Sequence, residues 1–126
     1  MIERLIIALR ALAAEADVQL RRFPDFVSRP DELALDFADA LLLVRSCQQI
    51  ELAPEQSRAL ATVESLLDRL SGSATAELWT EAALRERPEW DQLRDAAATA
   101  LRALGYPVEP PPPTDSVYVP GRRLEP

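Results

Sequence analysis

The side chains able to do chemistry in this chain are carboxylates, guanidinium groups and hydroxyls. Its 126 residues include no histidine, no lysine and no asparagine, and Cys47 is the only cysteine. Histidine general bases, Ser-His-Asp triads, Cys-His pairs, Schiff-base lysines and the P-loop lysine are therefore excluded by inventory. No serine or threonine lies in a nucleophile-elbow pattern, and neither a dinucleotide-binding motif nor a CxxC motif is present. We expect a protein that is not an enzyme, with no catalytic residue and no cofactor.

Three carboxylates form the most distinctive pattern in the chain. Glu32, Asp36 and Asp39 recur at spacings of four and three residues, which places them on one narrow stripe of a helix. Like charges at this spacing destabilise an isolated helix by about a few tenths of a kcal/mol per pair, so something should compensate them. The compensation would come from a basic partner, from a cation, or from arginines of this chain: Arg21, Arg22 or Arg58. Carboxylates alone can hold Mg²⁺ or Ca²⁺, but the chain has no DxDxDG loop and no ExxH pair, and we expect no metal.

The overall charge also bears on the partner. The chain has 21 acidic residues against 14 basic ones, and its formal net charge is −7. This charge disfavours binding to a phosphate backbone or to an anionic membrane, so we expect neither nucleic acid nor membrane as a partner. A basic protein is the partner that the charge favours, although acidity also serves simply to keep a protein in solution.

The elements that must position these residues are helices. Apolar residues at helical spacing predict five of them, over residues 2 to about 16, 30 to 45, 54 to 70, 76 to 87 and 88 to 104. Pro30, Pro54 and Pro88 suit the first turns of three helices, and Gly105 suits the end of the last one. Residues 17–29 are expected to form an irregular cover over the core. We predict an all-α, single-domain bundle of about five helices.

Two further features concern burial. The predicted second helix carries apolar residues in almost every direction around its axis, which is typical of a helix at the centre of a fold. Trp79 and Trp90 each fall on an apolar stripe and are expected in the core or at its edge. Trp79 has an alternative role as an anchor in a partner interface, where tryptophan is enriched.

The composition changes after residue 105. Pro107, Pro120 and an unbroken run of four prolines over 110–113 exclude a helix and favour an extended polyproline conformation. We therefore divide the chain into a helical domain, 1–105, and a Pro-rich extended tail, 106–126. The tail could be a free linker, an arm folded back on its own helices, or a recognition peptide for another protein.

These observations lead to a hypothesis about function. With one cysteine and no apolar run of roughly 18 residues, we expect a cytoplasmic protein of bacterial origin. We predict a small acidic protein-binding module, such as an immunity or antitoxin-like inhibitor of a basic toxin or nuclease, with a partner-binding site at Glu32, Asp36, Asp39 and Trp79. The alternative is a structural or adaptor subunit that self-associates as a homo-oligomer through its helices or its Pro-rich arm. A third hypothesis is an enzyme or ligand binder that uses carboxylates alone, and it would need two carboxylates close together in a pocket, one of them with a raised pKa.

Overall fold

Helical spacing of the apolar residues produces a helical bundle. The structure, a computed structural model, describes residues 2–24, 26–71 and 77–111. These residues contain no β-strand and form six helices: α1 (Ile2–Ala13), α2 (Ala16–Arg21), α3 (Arg29–Ser46), α4 (Pro54–Leu70), α5 (Glu81–Glu86) and α6 (Pro88–Ala103). The predicted all-α bundle is confirmed, and its helices share one hydrophobic core.

Helices α1 and α6 lie at the centre of this core. Helix α6 packs against α1 on one side and against α4 on the other, while α1 also packs against α3. The four long helices are therefore arranged in the order α3, α1, α6, α4. Leu5 and Leu9 of α1 and Trp90 and Leu101 of α6 are fully buried. Their burial accounts for much of the driving force for folding, at roughly 1.5 to 3 kcal/mol for each large apolar side chain.

Helices α4 and α6 run antiparallel. Gln56, near the start of α4, donates a hydrogen bond to the carbonyl of Ala103 at the end of α6, at 3.2 Å. At the other end of the pair, the indole N–H of Trp79 donates to the carbonyl of Leu70, the last residue of α4. The Trp79 ring also packs edge-on against Trp90, near the start of α6, with ring centroids 5.6 Å apart. Trp79 thus lies at the core edge and Trp90 in the core, as predicted.

The prediction that the second helix is central is wrong. This helix, α3, packs against α1, α2 and α5 but leaves one side open to solvent. Its buried side is formed by Leu33, Phe37 and Leu41, whereas Leu35 and Leu42 are exposed. Because α1 and α6 occupy the centre of the bundle, the core covers only one side of α3. Some apolar residues of α3 therefore remain exposed.

Two short helices differ from the prediction. Residues 17–29 were expected to be irregular, but Ala16–Arg21 forms α2, whose Gln19 is buried and donates to the carbonyls of Ala11 and Leu12 at 3.1 and 2.9 Å. Helix α5 begins only at Glu81, because the Thr80 hydroxyl caps it by accepting from the Ala83 N–H at 3.0 Å. The described earlier part of the predicted 76–87 helix, residues 77–80, is a short 3-10 turn followed by bends and not an α-helix, and residues 72–76 lie outside the described residues.

The chain leaves α6 through a left-handed turn. Gly105 has φ of +87°, a conformation that favours glycine, and it donates to Arg102 while Tyr106 donates to Leu101, at 3.0 and 2.9 Å. This is the Schellman arrangement that ends a helix. Residues 106–111 then form neither helix nor strand, as expected for the start of the tail, and residues 112–126 lie outside the described residues. Arg10 of α1 holds this first part of the tail through the carbonyl of Pro107 and the carboxylate of Glu109, each at 3.3 Å.

Candidate protein-binding surface

The predicted acidic stripe divides between two environments. Glu32 and Asp36 are half-buried on the flank of α3, whereas Asp39 is exposed on its outward face. Asp36 helps to line a cavity of about 240 Å³ with two guanidinium groups in its wall, and the lining residues are Arg4, Ile7, Ala8, Arg22 and Asp36. Arginines of this chain therefore stand next to one carboxylate of the stripe, which is one of the compensations expected from the sequence. Asp39 is the exposed residue of the stripe.

The outward face of α3 carries two large apolar side chains. Leu35 is 54% exposed and Leu42 is 65% exposed. They are seven residues apart, so they lie on the same face of the helix, and Asp39 lies between them. Solvent-exposed leucines occur singly on most proteins, but two on one helical face beside a carboxylate form a local apolar and acidic surface. We refer to Leu35, Asp39 and Leu42 as the outer face of α3.

A groove separates α3 from α4 next to this outer face. Its volume is about 300 Å³, and it is lined by Phe37, Ala38, Leu41, Leu42, Arg45, Glu64 and Asp68. Phe37 and Leu41 are buried and form its floor, while Leu42 belongs to both the groove and the outer face. The groove exists because α3 packs against α1 and α4 packs against α6, so that α3 and α4 do not pack closely along each other.

The rim of the groove is acidic. On the α4 side, Glu64 and Asp68 line it, and Asp68 is exposed. The one cation in its lining is Arg45, whose Nη1 lies 3.0 Å from both carboxylate oxygens of Glu64. Because Arg45 is paired with Glu64, the remaining charge in the groove lining is that of Asp68. Asp39 lies outside this lining, on the outer face of α3. The groove thus combines an acidic rim with one exposed apolar side chain, Leu42.

Trp79, the fourth predicted site residue, occupies a different place. Its ring is half-buried against Trp90, and its N–H donates to Leu70. Both its apolar body and its polar atom are therefore used inside the bundle. Trp79 therefore lies at the end of α4 and the start of α6, whereas Glu32, Asp36 and Asp39 lie on α3.

Sequence reasoning missed Leu35, Leu42 and the α4 residues of the groove. The signal for the two leucines was present, since a helix with apolar residues all round must expose some of them when it is not central. The contribution of Glu64 and Asp68 could not be found in the same way, because it depends on how α4 packs relative to α3.

A buried polar network was also missed. The side-chain oxygen of Gln19, which is 1% exposed, accepts from Nη2 of Arg94 at 2.8 Å and from its Nε at 3.3 Å. Arg94 also donates to the carbonyls of Ala14 and Leu84, at 3.1 and 2.5 Å. The network thus joins α2 and α6 to the ends of α1 and α5. Its groups are satisfied by each other, which indicates a structural role.

One surface ion pair has a defined electrostatic effect. Arg87 and Glu89 form two hydrogen bonds, at 3.2 and 3.1 Å, at the start of α6. The guanidinium of Arg87 holds the pKa of the Glu89 carboxyl below its usual value, because it donates to the ionised form. Arg87 and Glu89 lie outside the groove lining, so we assign this ion pair a role at the start of α6 and not in the candidate surface.

Within residues 2–24, 26–71 and 77–111, no helix combines the length and the apolar character needed to cross a membrane. The same part of the chain contains no group of three or more Cys, Asp or Glu side chains placed to hold a metal ion.

Comparison with known proteins gives no relative. No protein-family model, no curated protein and no solved structure matches this chain.

Proposed function

We propose that this protein is a small, non-enzymatic module that binds a basic protein through the outer face of α3 and the adjoining groove. The observation that carries the proposal is the pair of exposed leucines, Leu35 and Leu42, on either side of Asp39. Burial of exposed apolar side chains by a partner removes their surface from water, which contributes favourable free energy to binding. Asp39 and Asp68 would select a partner with positive charge at the matching positions.

The mechanism that fits this surface is stoichiometric occlusion. The partner's basic site is covered by the acidic module, as an immunity or antitoxin-like inhibitor covers a toxin or nuclease. The net charge of −7 speeds the encounter with a basic protein, and burial of Leu35 and Leu42 slows dissociation. We infer a cytoplasmic setting in a bacterium from the sequence, whose single cysteine allows no intrachain disulfide.

The acidic stripe is revised in this proposal. Asp39 keeps its predicted role, while Glu32 and Asp36 contribute mainly to the local field, because both are half-buried. Trp79 contributes by supporting the end of α4, where its N–H donates to Leu70. A variant at Asp36 is therefore a poor test, since it would disturb the cavity that Arg4 and Arg22 share with it.

The test is affinity capture from a lysate of the source organism, with two variants of equal charge change. The test variant is Asp39→Arg/Leu42→Arg. The control is Asp95→Arg/Val108→Arg, which changes one exposed carboxylate of α6 and one apolar residue of the tail that is 42% exposed. Circular dichroism first establishes that both variants are folded.

We expect the intact chain and the control to capture the same basic protein and the test variant to lose it. Capture should weaken as salt is raised, because charge steers the encounter. Equal capture by all three proteins, or equal loss from both variants, would contradict a site on α3. Loss from the control alone would move the site to α6 or to the tail.

Self-association is the competing function, and charge argues against it at this surface. In a two-fold dimer built on the outer face of α3, Asp39 would approach Asp39 of the second copy or its close neighbours. Like charges brought together in this way oppose association. Light scattering at several protein concentrations measures the mass directly, and a mass that doubles with concentration and returns to that of one chain in Leu42→Arg would favour the adaptor function.

A further inference from the structure

We infer that the groove between α3 and α4 receives a single amphipathic, basic α-helix of the partner. This inference rests on the proposed function and deepens it, since it names the kind of segment that binds. It is carried by three properties of the groove: its flanking helices, its apolar floor and its acidic rim.

The flanking helices limit the backbone conformation of the occupant. The groove lies between α3 and α4, whose backbone N–H and C=O groups are engaged within each helix. The described residues offer no sheet edge with which an extended peptide could pair. The groove therefore offers no backbone hydrogen bonds to an extended peptide, whereas an α-helix satisfies its own backbone groups along its length and can dock through side chains alone.

The dimensions fit a short helix. The α3 wall of the groove extends from Phe37 to Arg45, which is about 12 Å at roughly 1.5 Å per residue. That length corresponds to two turns, enough for three apolar side chains at positions i, i+4 and i+7 of an incoming helix. Ala38, which is small and exposed, leaves room for one of them beside Leu42.

The rim determines the charge of the occupant. Asp68 stands on the α4 side, and Asp39 stands beyond Leu42 on the α3 side. An incoming helix that places its apolar stripe on the floor would direct the residues of one flank toward Asp68, while Asp39 lies outside the lining and adds negative charge beyond the other flank. Arginine or lysine at those flanking positions would be attracted, whereas glutamate would be repelled.

The same charges argue against a second copy of this chain as the occupant. A copy would bring a net charge of −7 to a rim that is already acidic. The chain also has no long described helix whose exposed side is rich in arginine, since α3 and α4 carry carboxylates there. The favoured occupant is therefore a basic helix from a different protein.

The test uses three designed, fluorescein-labelled peptides of about 16 residues and the full chain, with binding read by fluorescence anisotropy. The first peptide has leucines at helical spacing flanked by arginines. The second has glutamates in place of the arginines. The third has the composition of the first in an order that gives no apolar stripe, so that charge alone is retained.

We expect the first peptide to bind and the other two to bind at least about tenfold more weakly, which corresponds to ~1.4 kcal/mol. Leu42→Arg and Asp68→Arg should each weaken the first peptide by a similar factor. Asp95→Arg, which changes the charge of an exposed position on α6, should leave it within about twofold.

Several results would overturn the inference. Equal binding of the first and third peptides would show that net charge alone is recognised, and no binding of the first would show that the groove does not accept such a helix. An increase in mass of the unliganded chain that Leu42→Arg abolishes would identify a second copy as the occupant. A further result would separate the two proposals. If no peptide binds but a partner is still captured from the lysate in a way that depends on α3, the helical occupant is rejected and the proposed function is retained.

Discussion

Arg45 of α3 and Glu64 of α4 join the two helices across the groove that separates them. Nη1 of Arg45 lies 3.0 Å from each carboxylate oxygen of Glu64, and both side chains are about half exposed, at 43% and 44%. Since α3 and α4 do not pack along each other, this pair is the described polar link that spans the opening. The pair crosses the opening without filling it.

The exposure of this pair predicts a weak contribution to stability. A double-mutant cycle with Arg45→Ala and Glu64→Ala should give a coupling free energy below about 1 kcal/mol, because solvent screens both charges. The coupling should fall further in high salt. Urea denaturation at two salt concentrations measures it, and a coupling of several kcal/mol would mean that the pair holds the bundle together.

The buried network predicts a much larger effect at Gln19. Gln19→Leu should lower the free energy of unfolding by roughly 3 kcal/mol, because the carbonyls of Ala11 and Leu12 and the guanidinium of Arg94 lose a partner. Gln92→Leu is the matched control, since Gln92 is exposed on α6 and should change stability by less than about 0.5 kcal/mol. Equal effects of the two substitutions would remove the structural role assigned to Gln19.

The two neighbouring leucines of α3 should behave in opposite ways. Leu41 is 2% exposed and Leu42 is 65% exposed. Leu41→Ala should therefore cost about 3 kcal/mol of stability, through lost burial and the cavity left behind, and Leu42→Ala less than about 0.5 kcal/mol. Chemical denaturation of both variants distinguishes them. A large loss for Leu42→Ala would mean that its side chain serves the fold and not a partner.

The ion pair between Arg87 and Glu89 predicts that the free energy of unfolding depends on pH. Arg87 lowers the pKa of the Glu89 carboxyl in the folded state. The ionised carboxylate therefore contributes its full stabilisation above a pH of about 4.3, the ordinary pKa of glutamate. This stabilisation is lost as the pH falls through the lower pKa that Glu89 has in the folded state. The intact protein should thus lose more stability than Glu89→Gln over that acidic range.

Urea midpoints of the intact chain, Glu89→Gln and a control, Glu86→Gln, in steps below pH 5 would measure this difference. Glu86 is exposed near the end of α5, so the control removes a carboxylate from the same region. If the curve of Glu89→Gln runs parallel to that of the intact chain, the ion pair with Arg87 has no effect in solution.

The helices were predictable where local signals are strong. Pro54 and Pro88 are the first residues of α4 and α6, and Gly105 follows the end of α6, because each of these residues restricts or permits a particular backbone conformation. The six-residue helix α2 was not predicted. It is stabilised by the burial of Gln19 and Leu20 against the rest of the bundle, which no local pattern specifies.

The candidate site was predictable only in part. The spacing of Glu32, Asp36 and Asp39 correctly placed them on neighbouring parts of one helix, but it could not show that Asp36 lies beside Arg4 and Arg22. That relation, like the groove, depends on how separate helices pack. The partner itself stays a prediction.

The most direct test of the central proposal is a methyl NMR footprint of the captured partner on the leucines and valines of this chain. We predict that the methyl signals of Leu35 and Leu42 shift or broaden when the partner is added, while those of the buried Leu5 and of Val108 in the tail stay in place. The Asp39→Arg variant should abolish these changes at the same partner concentration. Shifts confined to Val108, with Leu35 and Leu42 unmoved, would contradict a binding surface on α3.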